Sequence, residues 1–166
     1  MKKHRLAYAV FITLLVISLA QSLWLVFGPT DTLQPDQADA SRDVLILAVV
    51  QVCTLLLLAV TFLGGAAALP MTADWALNIP KKQYWLAADR RQQTLDYAVR
   101  WLLWFGTLNL LLIMMVFRAA HASEMGEAVS MDIWLIFAAY TAFTIFFVLQ
   151  MNSRFGSPPH SESAET

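Results

Sequence analysis

The sequence predicts an all-α polytopic membrane protein of four transmembrane helices with both termini inside, and three observations carry that prediction. Apolar runs occur at about 6–27, 44–69, 98–117 and 133–151, and Arg100, at a segment end, is the only charged residue within them. A helix needs about 20 residues to cross a hydrocarbon core roughly 30 Å thick, and each run reaches that length. Nine of the eleven Lys and Arg residues then fall on one side of the pattern. Composition agrees, with 58% hydrophobic and 14% charged residues, against roughly a quarter charged in an average soluble domain.

The first span follows Lys2, Lys3 and Arg5 and closes on Trp24 and Phe27. A cleavable signal is the competing interpretation, with Ser18-Leu19-Ala20 as a small-x-small site. The apolar run continues through Phe27, which favours a span. The loop that follows is acidic, with Asp31, Asp36, Asp39 and Asp43, and the second span then runs to Leu69. Lys81, Lys82, Arg90, Arg91 and Arg100 lie between spans two and three, and Arg154 follows span four, whereas the opposite side holds only Arg42 and Arg118. Short loops keep Lys and Arg on the cytoplasmic face, which places both termini and the central loop inside. Aromatic residues fit the same register: Trp24, Phe27 and Trp134 at the outer boundary, Tyr97, Trp101 and Trp104 at the inner one. Residues 1–152 are therefore expected to form one transmembrane domain, followed by a disordered cytoplasmic tail at 153–166 that is rich in Ser, Glu and Pro.

Small and polar residues at helical spacing predict the inward faces. Gln51, Thr54, Thr61, Gly65 and Ala68 share about a third of the second helix's circumference. Ser18, Gln21 and Ser22 mark the first helix, Gly106 and Asn109 the third, and Ala138, Thr141 and Ala142 the fourth. Small residues let backbones approach, and amides bond between helices. Gln21 and Gln51 share a depth and are expected to meet; with Asn109 they are the candidate interhelical polar contacts.

Several function classes are disfavoured. A proton-coupled pump needs a buried carboxylate or histidine to load and unload, and the spans contain neither. His4, His121 and His160 lie outside the spans, which leaves no bis-histidine haem site; the methionines serve more readily as fillers than as ligands. Cys53 is expected to be buried and unreactive. His121 and Ser123 lie close in sequence, with no orienting partner to make them a dyad. No catalytic, metal or cofactor site is predicted, and the net charge of -1 argues against a nucleic-acid partner.

The central loop is the exception. Asn78-Ile79-Pro80-Lys81-Lys82-Gln83-Tyr84-Trp85 precedes Arg90-Arg91 and is dense in aromatic and basic residues. Pro80 disfavours helix at Ile79. Helix should resume near Ala88 or Asp89 as an interfacial cytoplasmic segment leading into the third span, with a polar stripe at Asp89, Gln93, Asp96 and Arg100 and an apolar one at Ala88, Leu95, Val99 and Leu102. Asp96 and Arg100 are ordered for a favourable i,i+4 pair. Asn78, Pro80, Lys81, Lys82, Tyr84, Trp85, Arg90 and Arg91 form the candidate surface, facing lipid headgroups or docking a membrane or cytoplasmic protein. In the docking version Tyr84 and Trp85 are the apolar anchors.

The run Leu77 to Ala87, with Arg90-Arg91 and Thr94-Leu95, resembles a segment of small bacterial inner-membrane proteins of the domain-of-unknown-function (DUF) 1648 type, which carry Asn-x-Pro-Asn-Lys-x-Tyr-Trp-Leu-Ala-Pro-Glu-Arg-Arg. The resemblance covers about twenty residues and the placement of spans around them. Ala88 stands where the family has Pro, and the loop at 28–43 lacks its His-containing segment. The resemblance implies a multi-pass protein of the bacterial inner (cytoplasmic) membrane with a regulatory or protective role of the signalling or immunity kind. The sequence expectation is thus a non-enzymatic accessory or regulatory partner; the alternative is an oligomeric transport component.

Overall fold

The computed structural model describes residues 4–27, 38–124 and 132–156. These are 91% helical, with no strand among them. Helix α1 spans Arg5–Phe27 and α2 spans Ala38–Ala59. The second helix continues through a π-helical turn at Val60–Gly64, a short α3 at Gly65–Ala68 and a 3-10 turn at Leu69–Met71. A brief α4, Lys82–Trp85, precedes the 34-residue α5, Arg91–Glu124, and α6 runs over Asp132–Gly156. Four of these stretches, Arg5–Trp24, Arg42–Met71, Arg91–Ser123 and Trp134–Gly156, are long and apolar enough to cross a membrane.

Helices α1, α2 and α5 form the core. Ala7, Ala66, Val99 and Leu103 are buried together near one end, and Phe11, Leu55, Phe62 and Leu110 form the middle. Gly106 explains how α5 comes so close. A Cβ there would stand 2.6 Å from Phe62 Cγ and 2.8 Å from Phe11 Cε2, so the two rings occupy the notch that glycine leaves. Outward faces carry Leu6, Val16, Leu57 and Val60, as suits a helix whose surroundings are as apolar as its own side chains.

The inward face of the second span differs from the expected one. Gln51 is buried, but Thr61 and Ala68 are exposed, and Phe62 and Ala66 point into the core instead. The offset is set before the π turn. Leu55 has no exposed surface, whereas Thr54 is half-buried with its hydroxyl donating to the Val50 carbonyl. A 3.6-residue period carried on from Ala48 and Leu55 reaches Phe62 and Ala66. Cys53 is exposed on this helix, contrary to the expectation of burial.

Helix α6 also departs from expectation. Ala138, Thr141 and Ala142 are exposed, and the partly buried face is Tyr140, Phe143, Thr144 and Phe147. Small residues give way because α6 meets α5 through rings: Phe147 stacks on Phe105 with centroids 4.8 Å apart and sits edge-on to Trp101 at 5.6 Å. The helix extends to Gly156, beyond the expected end of the transmembrane domain at 152, because Phe155 is buried against the central loop. The rest of the expected disordered tail, 157–166, lies outside the described residues, as do 28–37 and 125–131.

The expected interfacial helix is the first part of α5 itself. Its apolar stripe is covered by protein: Leu95 packs with Leu77 and Leu86, and Val99 with Ala7 and Ala66.

Candidate functional site

The segment between the second and third spans folds as a cap with its own small core, Leu77, Leu86 and Leu95, flanked by Leu69 and Ile79. Two devices hold it. The first is Arg91, whose Nε donates to Asp74 Oδ1 at 2.9 Å and whose Nη2 donates to the Thr72 carbonyl at 3.1 Å. This ties the turn at 74–76 to the start of α5. The second is Trp85, 6% exposed, whose Nε1–H donates to the Phe155 carbonyl at 3.0 Å while its own carbonyl accepts from Thr94 Oγ1 at 2.9 Å. Its ring lies edge-on to Tyr84 and to Phe155, at 5.0 and 5.6 Å. Arg154 lies 5.2 Å from the Trp85 ring and 5.6 Å from that of Tyr97.

Trp85 is therefore no anchor for a partner; it fastens α6 to the cap. Tyr84 is half-buried, with the Arg90 guanidinium 4.2 Å from its ring centre. An aromatic residue in a basic loop reads the same in sequence whether it faces out or in, and a contact across 70 positions decides here. Asn78, Pro80, Lys81, Lys82 and Gln83 remain exposed. All of these except Pro80, with Leu77, Ile79 and Tyr84, line a shallow cleft of about 520 Å3. Lys81 adopts φ 50°, ψ 42°, a left-handed conformation uncommon outside glycine. The chain thereby turns sharply between Pro80 and α4, and Tyr84 N–H caps the turn by donating to the Lys81 carbonyl at 2.9 Å.

Trp75 and Met71, absent from the sequence-derived surface, are 82% and 87% exposed beside this cap. Their signal was available: a large apolar residue between a span and a charged loop suits headgroup depth.

Asp96 does not pair with Arg100. It stands 3.3 Å from His4 Nε2 and accepts from Gln92 Nε2 at 3.0 Å, which joins the start of α1 to α5. The start of α1, the cap, the start of α5 and the end of α6 thus share one end of the molecule.

Within the spans, polar side chains mostly turn back onto their own helices. Ser18, Ser22, Thr54, Thr107, Thr141 and Thr144 each donate to the carbonyl four residues earlier, at 2.7–2.9 Å. Hydroxyls satisfied in this way need no partner helix. Asn109 is the exception among the expected contacts: its Nδ2 donates to the Phe105 carbonyl, while its Oδ1 accepts from Tyr140 of α6 at 3.1 Å. Gln21 and Gln51 line a common cavity at the end opposite the cap, but Gln21 is exposed and the Gln51 Oε1 is buried without a hydrogen-bond partner. An unmet buried acceptor of this kind costs about 1–3 kcal/mol, so the expected glutamine pair is replaced by an unfilled requirement. No group of three or more His, Cys, Asp or Glu among the described residues is placed to hold a metal ion.

Fold and site define a class: a multi-pass α-helical membrane protein with a folded cap at one end of a three-helix core. Comparison of the chain with family models, curated proteins and solved structures finds no match.

Proposed function

We propose that the protein is a non-enzymatic accessory or regulatory component of a bacterial cytoplasmic membrane, and that it docks a partner through the cap. The carrying observation is the division of labour within residues 69–91. Trp85 and Arg91 are committed to holding the segment rigid, whereas Asn78, Lys81, Lys82 and Gln83 stay exposed around a cleft. A preorganised loop loses less conformational freedom on binding than a flexible one. Two exposed lysines, strengthened by Trp75 at the margin, favour a partner with an acidic surface. The basic bias of this end supports a cytoplasmic placement, and the resemblance of Leu77 to Ala87 to the DUF 1648 type falls on the same segment. The transport alternative is weakened because Ser18, Ser22, Thr54, Thr107, Thr141 and Thr144 donate their hydroxyl protons to their own helices.

The test is affinity capture of the full chain from detergent-solubilised membranes, comparing the native protein with a Lys81→Glu/Lys82→Glu variant. Loss of a specific partner at unchanged membrane insertion is the expected result. Undiminished capture would remove the cap from the reading, and a homo-oligomer conducting solute in liposomes would replace it with transport.

A further inference from the structure

A groove of about 540 Å3 runs between α5 and α6. Lys81 and Lys82 take no part in its lining, so it is separate from the docking cleft. One wall is a stripe of α5 at steps of three or four residues: Tyr97, Arg100, Trp104, Leu108 and Leu111. The other is Phe143 and Gln150 of α6. Phe155 packs on Tyr97, Phe147 on Trp101 and Phe105, and Tyr140 bonds Asn109. The two helices therefore run antiparallel in a register that sets Gln150 at the Tyr97–Arg100 end and Phe143 near Leu108. Polarity is graded along the groove as a result. At the cap end gather three groups that can donate, the exposed Arg100 guanidinium, the Tyr97 hydroxyl and the Gln150 carboxamide. Deeper in, the lining is aromatic or aliphatic apart from Thr107, whose hydroxyl donates to the Leu103 carbonyl. Arg154 brings a second guanidinium to the cap end, 5.6 Å from the centre of the Tyr97 ring. Length fits as well: at about 1.5 Å per residue, the eleven steps from Arg100 to Leu111 cover about 16 Å. One leaflet contributes about 15 Å of hydrocarbon.

We infer that this groove binds one anionic glycerophospholipid from the leaflet on the cap's side. Its phosphate pairs with the Arg100 guanidinium, whose planar fork matches phosphate oxygens in charge-assisted hydrogen bonds. One acyl chain lies along Trp104, Leu108 and Leu111 and ends near the bilayer midplane. A zwitterionic lipid brings the same phosphate and chain, but its ammonium is repelled by two guanidinium groups at the cap end. The net charge of the headgroup is thus the selecting property. A lipid seated in this way touches both walls and adds to the few ring contacts that join α6 to α5.

The test places the full chain in phosphatidylcholine nanodiscs that contain rising fractions of phosphatidylglycerol with brominated acyl chains, which quench indoles on contact. The same series with brominated phosphatidylcholine is the reference. Phosphatidylglycerol should give saturable quenching in excess of the reference, and Trp104→Phe should remove most of that excess. Arg100→Gln should raise the half-saturating fraction about tenfold, and Arg100→Lys, which keeps the charge but not the fork, should raise it less. Thermal unfolding of each variant verifies that it folds. Juxtamembrane lysines attract anionic lipid without any site, so Lys81→Gln/Lys82→Gln is the control for surface charge and should leave half-saturation unchanged. Glu162→Gln/Glu165→Gln asks whether the carboxylates of 157–166 compete for Arg100, and it too should change nothing. Equal quenching by the two lipids, an unshifted Arg100→Gln, a lysine variant as weak as Arg100→Gln, or tighter binding by the glutamate variant would each overturn the assignment.

Discussion

Helices α1, α2 and α5 are bound to each other in a different way from α6. The three interlock by shape: Phe11 and Phe62 fill the notch at Gly106, and Leu55, Leu103 and Leu110 have no exposed surface. Along α6, no residue from Trp134 to Arg154 is buried. It is held at discrete points: Tyr140 on Asn109, Phe147 on Phe105 and Trp101, and Phe155 on Trp85. In lipid, where apolar contact between helices has no solvent-driven advantage, interlocking makes a core and a few ring contacts make an attachment. The central loop earns its structure from the second arrangement, because it supplies the final attachment point.

Trp85→Ala should break that contrast most strongly. Truncating a buried Trp costs about 3–5 kcal/mol, and the hydrogen bond to the Phe155 carbonyl goes with it. The expected outcome in mixed-micelle unfolding is a large loss of stability, with protease access gained near Ser153 while cross-links between α1 and α2 survive. Loss of the α1–α2 cross-links as well would show that α6 belongs to the core. Gly106→Ala attacks the other side of the comparison: overpacking of a filled interior costs about 1–3 kcal/mol, and unfolding should show it without early release of α6.

Gln51→Leu asks whether the three-helix core depends on its buried carboxamide. Since the Oε1 has no partner, an apolar replacement should leave stability unchanged or raise it by about 1 kcal/mol; a marked loss would reveal an interhelical bond. The smallest effect is expected from Tyr140→Phe, which removes the hydroxyl that bonds Asn109 across α5 and α6. Interhelical bonds of this kind average about 0.6 kcal/mol, so a small but resolvable drop in the unfolding midpoint should appear, paired with unchanged packing of the other three helices.

The spans were legible because length and apolarity are local properties, and Trp24 and Trp134 stand exposed at helix ends as an aromatic girdle requires. Gly106 and Asn109 were also identified as inward-facing, since a glycine or an amide within an apolar run has few other uses. What escaped was set by distant partners. His4 reads as one more polar terminal residue until α5 brings Asp96 beside it. Trp85 reads as a docking anchor until the end of α6 covers it. Ser18 and Ser22 were correctly placed inside, but spacing alone does not tell a hydroxyl bonded to its own helix from one reaching across.

The π turn at Val60–Gly64 has a consequence for kinship. A helix with one additional residue per bulge diverges from a straight relative by a single insertion, so the two halves of the second span keep separate phases. Relatives of this chain that lack the bulge should align with a one-residue gap at 60–64. Residues beyond the gap, Ala66 among them, would then meet their counterparts only when the gap is placed, and an ungapped alignment would leave the rest of the helix one residue out of register.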